Sequence, residues 1–198
     1  MAKAIFPASK IQYTLYHYTT KENAEQILRD GFKPASEVKK ATTEYTDQFD
    51  GIFFTQSKNC YWNDPNLVRI AVKVNMQNPL DISSFPDDSK QYTPEQQKIA
   101  QQIEQYIAQG EANHDKIMGN NYDRRILAIE ISKAFQNAGY DGIIFNSTDG
   151  HVEHVIFDPK NIHIIPDKIQ TFNHARTDVI TKAKNANPHI HSALEYDL

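Results

Sequence analysis

Residues 67–74 read Leu-Val-Arg-Ile-Ala-Val-Lys-Val, with Val68, Ile70, Val72 and Val74 alternating with their neighbours. That period of two predicts a strand with one buried face. Shorter runs predict further strands at 15–18, 51–55, 142–145 and 152–157, with a last one at 161–165. Between them the spacing turns helical. Ala24, Ile27 and Leu28 stand at i, i+3 and i+4 and predict a helix over 23–29, with Thr20 as N-cap and Gly31 as its stop. Thr93-Pro94-Glu95 opens a second helix over 93–109, with Ile99, Ile103, Tyr106 and Ile107 on one face. A third runs over 123–137, with Ile126, Leu127, Ile129, Ile131 and Phe135 to bury and Gly139 as its cap. Turns are expected at 78–81 and 146–150, a short helix or turn at 57–62, and loop over 35–50. The polar tail from about residue 168 reads as a helix over 174–185 and then a loose end.

Strands come in two groups with helices between them and without regular βαβ alternation, which predicts an α+β fold. The domain boundary falls near residue 168. The helical segment 93–137 is inserted in the domain 1–168, and 169–198 forms the tail. There is no internal repeat.

Of the 198 residues, 39% are apolar and 23% charged, enough to bury a core in a polar chain. The net charge of −4 argues against a broad electrostatic grip on nucleic acid. A single cysteine, Cys60, excludes an internal disulfide and a thiolate zinc site. No stretch approaches the roughly 20 apolar residues needed to span a bilayer. The start, MAKAIFPASK, lacks the apolar run of a signal peptide. A cytoplasmic protein is expected, or one secreted into a host cell without a cleaved signal. No GxGxxG, P-loop or HExxH motif occurs.

Candidate chemistry starts with His17, set between Tyr16, Tyr18 and Thr19 on the first strand. Its plain reading is a hydrogen-bonded structural histidine. Phe53 and Phe54 read as core, at least one of them. Glu153 shares a strand face with Val155 and Phe157, and a carboxylate leading into a buried face belongs at a strand end or in a cleft. His151, Glu153 and His154 point to both faces of one strand and converge poorly, so no metal is expected. Four histidines, His163, His174, His189 and His191, lie in or just before the tail. Arg124 and Arg125 read as a solvated helix face.

Three segments stand in order: Tyr16-His17-Tyr18-Thr19; Gly51-Ile52-Phe53-Phe54-Thr55-Gln56-Ser57-Lys58-Asn59-Cys60-Tyr61; and Gly139-Tyr140-Asp141-Gly142-Ile143-Ile144-Phe145 followed by Glu153-His154-Val155-Ile156-Phe157-Asp158-Pro159. Together they resemble the ADP-ribosyltransferase superfamily, in its diphtheria-toxin and poly(ADP-ribose)-polymerase-like branch with a His–aromatic–Glu signature. Leu15-Tyr16-His17-Tyr18-Thr19-Thr20 is similar to small toxin-type members of bacteria and phages. The resemblance covers roughly residues 13–165. It implies a split β-sheet core with flanking helices and NAD+ as substrate. It implies that His17 bonds the adenine-side ribose and that the backbone of Tyr18, where the family often has Gly, grips the nicotinamide amide, with Thr19 beside it. Ser57 falls near that amide. The stacking ring is Phe53 or Tyr61, since an aromatic face holds a flat cationic ring. Glu153 falls on the catalytic position.

Nicotinamide leaves NAD+ as a neutral molecule, so one carboxylate facing the ribosyl charge suffices, where O-glycosidases need two. The activity implied is mono-ADP-ribosylation of a protein by a small bacterial effector or toxin, expected as a monomer. Arginine-directed members often carry an acidic residue or Gln two positions before the catalytic Glu; here it is His151. The alternatives are a nucleic-acid-directed ADP-ribosyltransferase, an RNA 2′-phosphotransferase-like enzyme, and a non-catalytic nucleotide-binding module.

Overall fold

The alternating stretch Leu-Val-Arg-Ile-Ala-Val-Lys-Val forms the longest strand, β3 (Leu67–Val74), of a mixed sheet. The computed structural model describes residues 8–38, 49–58, 66–147, 150–166 and 170–171. The chain opens with β1 (Leu15–Thr20) and α1 (Lys21–Asp30), then β2 (Ile52–Thr55) and β3. It continues with β4 (Pro79–Asp81), α2 (Pro94–Met118) and α3 (Arg124–Asn137). It closes with β5 (Gly142–Asn146), β6 (Val152–Ile156), β7 (Ile162–Ile164) and β8 (Gln170–Thr171). The strands lie in the order β4-β5-β6-β2-β1-β3-β7, and β8 pairs with β3. Every pairing is antiparallel except β4 with β5. The fold is α+β, as the grouping of strands implies.

Helix α1 starts where its cap signal stands: the Thr20 side chain accepts from the Asn23 amide. It ends at Gly31, whose φ of 82° is in the region that favours glycine. Helix α2 begins with a capping box between Thr93 and Gln96. It then runs nine residues past the expected end at Gln109, through Gly110. That glycine is a packing device and no stop. A Cβ there would lie 2.6–2.7 Å from Ile131, so its absence lets α2 lie against α3. Residues 79–81, expected as a turn, instead form β4, because the run pairs in parallel with residues 142–144. Arg125 is not merely solvated: its guanidinium donates to the carbonyls of Ala35, Ser36 and Val38. The expected turn beyond Lys58, with Cys60, Tyr61 and Trp62, lies outside the described residues. So does the expected helix at 174–185, with His174, His189 and His191.

Two cores lie on opposite faces of the sheet. On one face Leu15, Phe54, Ile70, Val72, Ile144 and Ile156 pack with Ala24 and Leu28 of α1. On the other, Ile143, Val155 and Phe157 pack with Ile131 and Phe135 of α3, and Ile103, Tyr106 and Ile107 of α2 close over them. No helix among the described residues is long and apolar enough to cross a membrane.

Candidate functional site

Residues directly opposite one another in an antiparallel ladder share a face. Glu153 lies opposite Phe145 of β5 on one side and Thr55 of β2 on the other. Thr55 in turn lies opposite Tyr16 of β1, and Tyr16 opposite Ala71 of β3. One row of side chains, Phe145–Glu153–Thr55–Tyr16–Ala71, therefore crosses five strands on a single face. Glu153 is half-buried there, between an aromatic ring and a hydroxyl. Sequence reasoning placed Glu153 on a face leading into a buried patch, and Val155, two residues on, is fully buried in the α2–α3 core.

β1 and β2 pair at the single register position Tyr16↔Thr55. Beyond it a side chain takes over from the ladder: His17 Nδ1 lies 2.9 Å from the Phe53 carbonyl oxygen. A carbonyl can only accept, so Nδ1 carries the proton and, in the neutral ring, Nε2 is left as an acceptor. Burial lowers the His17 pKa, and the bond to the Phe53 carbonyl opposes this in part, so the ring is neutral near pH 7. The ring packs edge-on against Phe32 at 5.3 Å and tilted against Phe54 at 5.7 Å. By alternation His17 belongs to the α1 face, while Glu153, Thr55, Tyr16 and Tyr18 belong to the other. The strands thus bring His17 and Glu153 close in the sheet order but turn them to opposite sides of it.

Phe53 and Phe54 separate in the same way. Phe54 is fully buried in the α1 core, and Phe53 packs on the edge of the α2–α3 core. Thr19 is half-buried on β1, facing the same way as His17. Tyr61 lies outside the described residues.

Three residues of this neighbourhood escaped the sequence reading. Thr55 and Tyr16 are fixed by register, which a single sequence does not display. Arg69 did leave a signal, a cation inside an apolar strand. It is 4% exposed, and its guanidinium stands 5.2 Å from the Tyr16 ring centre. It also donates to the Lys58 carbonyl. The Tyr18 hydroxyl, on the same face, reaches the carbonyls of Ser57 at 3.0 Å and Lys58 at 2.8 Å. The Ser57 amide donates to the Thr55 hydroxyl at 3.0 Å, which closes a tight turn at the end of β2.

Behind Glu153, on the α1 face, His154 is fully buried. Its Nε2 lies 2.8 Å from the Tyr13 hydroxyl, which also accepts from the Gln56 side-chain amide at 2.6 Å. Burial pushes the His154 pKa down to about 4, against a smaller opposing pull from the Asp81 charge. Burial also raises the Tyr13 hydroxyl above its ordinary range. Among the described residues no three His, Cys, Asp or Glu side chains gather as a metal group. No family model, curated protein or solved structure matches the chain.

Proposed function

We propose that the chain is an NAD+-dependent mono-ADP-ribosyltransferase that modifies a protein, of the bacterial effector or toxin kind. One observation carries the reading. Three segments far apart in sequence, at residues 15–20, 52–55 and 152–156, lie on the adjacent strands β1, β2 and β6. Glu153, on β6, is half-buried and lies opposite Thr55 of the central strand β2. The narrow joint between β1 and β2 suits a split-sheet core of the ADP-ribosyltransferase type.

The chemistry asked of Glu153 is modest. The bond between ribose C1′ and the nicotinamide nitrogen breaks, and its electron pair leaves with the ring, which becomes neutral. The ribose keeps the positive charge, which the Glu153 carboxylate faces while holding the 2′-hydroxyl. The nucleophile of an acceptor side chain then bonds to C1′ and gives up its proton. A partly desolvated carboxylate aimed at a developing cation contributes about 3–4 kcal/mol, judged by electrostatic stabilisers elsewhere. His17 packs on Phe32 and Phe54 on the other side of the sheet from Glu153, so the reading rests on Glu153 and not on a contact from His17.

A second reading has an observation of its own. His17 bonds a backbone carbonyl and packs edge-on against Phe32 and tilted against Phe54, which is what a structural histidine does. A pocket that binds a nucleotide without turning it over fits this as well. Labelled NAD+ separates the two. The transferase releases nicotinamide and leaves label on an acceptor protein, whereas the binding module raises its melting temperature with NAD+ and releases nothing.

A further inference from the structure

We propose that Tyr18 and Arg69 are positioning residues, a latch that fixes the 55–58 turn against β1 and β3 and so sets how tightly the neighbouring site holds its dinucleotide; the second half of this statement rests on the transferase reading. β2 ends at Thr55 and the chain must turn there. Three contacts fix that turn from outside it: Tyr18 hydroxyl to the Ser57 and Lys58 carbonyls, and the Arg69 guanidinium to the Lys58 carbonyl. A fourth, Ser57 amide to Thr55 hydroxyl, fixes it from within. Its first residue, Thr55, lies opposite Glu153, so the turn and the carboxylate share one frame.

The residue types suit the task. Burying a guanidinium is costly unless its donors are used, and a carbonyl at a turn is a fitting partner. The guanidinium carbon also lies 5.2 Å from the Tyr16 ring centre, within reach of a cation–π attraction. Tyrosine at position 18 also gains a reason. A smaller side chain there would not reach the Ser57 and Lys58 carbonyls. Here the backbone of β1 is left to the site while the phenol reaches across to the turn.

The test uses the full-length protein and the variants Tyr18→Phe, Arg69→Met and Arg69→Lys. Tyr18→Phe keeps the ring and removes only the hydroxyl. Hydrogen exchange of the amides at 56–58 in Tyr18→Phe is expected to rise about tenfold, with β3 amides unchanged. In nicotinamide release, KM for NAD+ is expected to rise about fivefold in Tyr18→Phe, while kcat falls by less than half as large a factor. Arg69→Lys is expected to retain more of the affinity than Arg69→Met. Unchanged exchange at 56–58 overturns the latch, and so does a fall in kcat with KM unmoved. If the wild type neither binds nor cleaves NAD+, the transferase reading fails and the link to affinity goes with it, while the exchange experiment still decides whether the latch exists. Should Arg69→Met fail to fold, Tyr18→Phe carries the test alone.

Discussion

On the β4–β5–β6 half of the sheet, one face is sealed by aliphatic and aromatic side chains under α2 and α3. Carried across to β1 and β3, that same face presents Tyr16, Tyr18, Arg69 and Lys73, while α1 packs on the opposite side. On this face the two halves are held by different means. Apolar surface can be buried in many arrangements, so the helix pair is specified by volume and shape. Phenols and a guanidinium must meet partners at fixed distances, so the other half is specified by hydrogen bonds to particular carbonyls. Glu153 stands at the border between the two. A border of this kind suits a site, because one side supplies rigidity and the other supplies polar groups.

The comparison can be broken most forcefully at the cores. Phe54→Ala in the α1 core and Phe135→Ala in the α2–α3 core are each expected to cost about 3–5 kcal/mol in urea unfolding. One shared transition means that the cores on the two faces of the sheet fold as one unit; two transitions would mean that the α1 core and the α2–α3 core unfold separately.

Acid comes next. His154 titrates near 6.5 when unfolded and at about 4 when folded. The unfolded state therefore takes up the proton first. The stability tied to a neutral His154 is complete above pH 6.5 and is lost as the pH falls towards 4, a loss of about 3 kcal/mol. His17 is shifted the same way and adds to the loss. Melting curves between pH 7 and 4 check this, and His154→Phe is expected to flatten most of the dependence. Gly110→Ala comes third: a Cβ pressed on the Ile131 backbone is expected to cost about 1–3 kcal/mol, well above its helix-propensity gain. Smallest is Thr20→Ala, expected to cost about 1 kcal/mol through loss of the α1 cap.

Much of the fold was legible because it is local. The cap at Thr20, the stop at Gly31, the alternation of β3 and the Thr93-Pro94 start all lie within a few residues of what they decide. Three features were not. β4 exists because residues 142–144 lie beside it, and the length of α2 depends on Ile131 facing Gly110; both are tertiary. The row through Glu153 and Thr55 depends on register, and shifting a strand by one residue would turn Thr55 to the other face. For the candidate site, the strand positions of His17, Phe53 and Glu153 could be read from the sequence. The side of the sheet that each faces, and the use of Tyr18 and Arg69 on the 55–58 turn, could not.

The central claim is that Glu153 stabilises the charge formed when NAD+ loses nicotinamide. Nicotinamide release by the wild type and by Glu153→Gln, each with its NAD+ affinity measured alongside, tests it most directly. The account predicts about 10²–10³-fold slower release in Glu153→Gln, with affinity within a few-fold of the wild type. Equal release by the two proteins would contradict it, as would a wild type that binds NAD+ and releases no nicotinamide with or without acceptor protein.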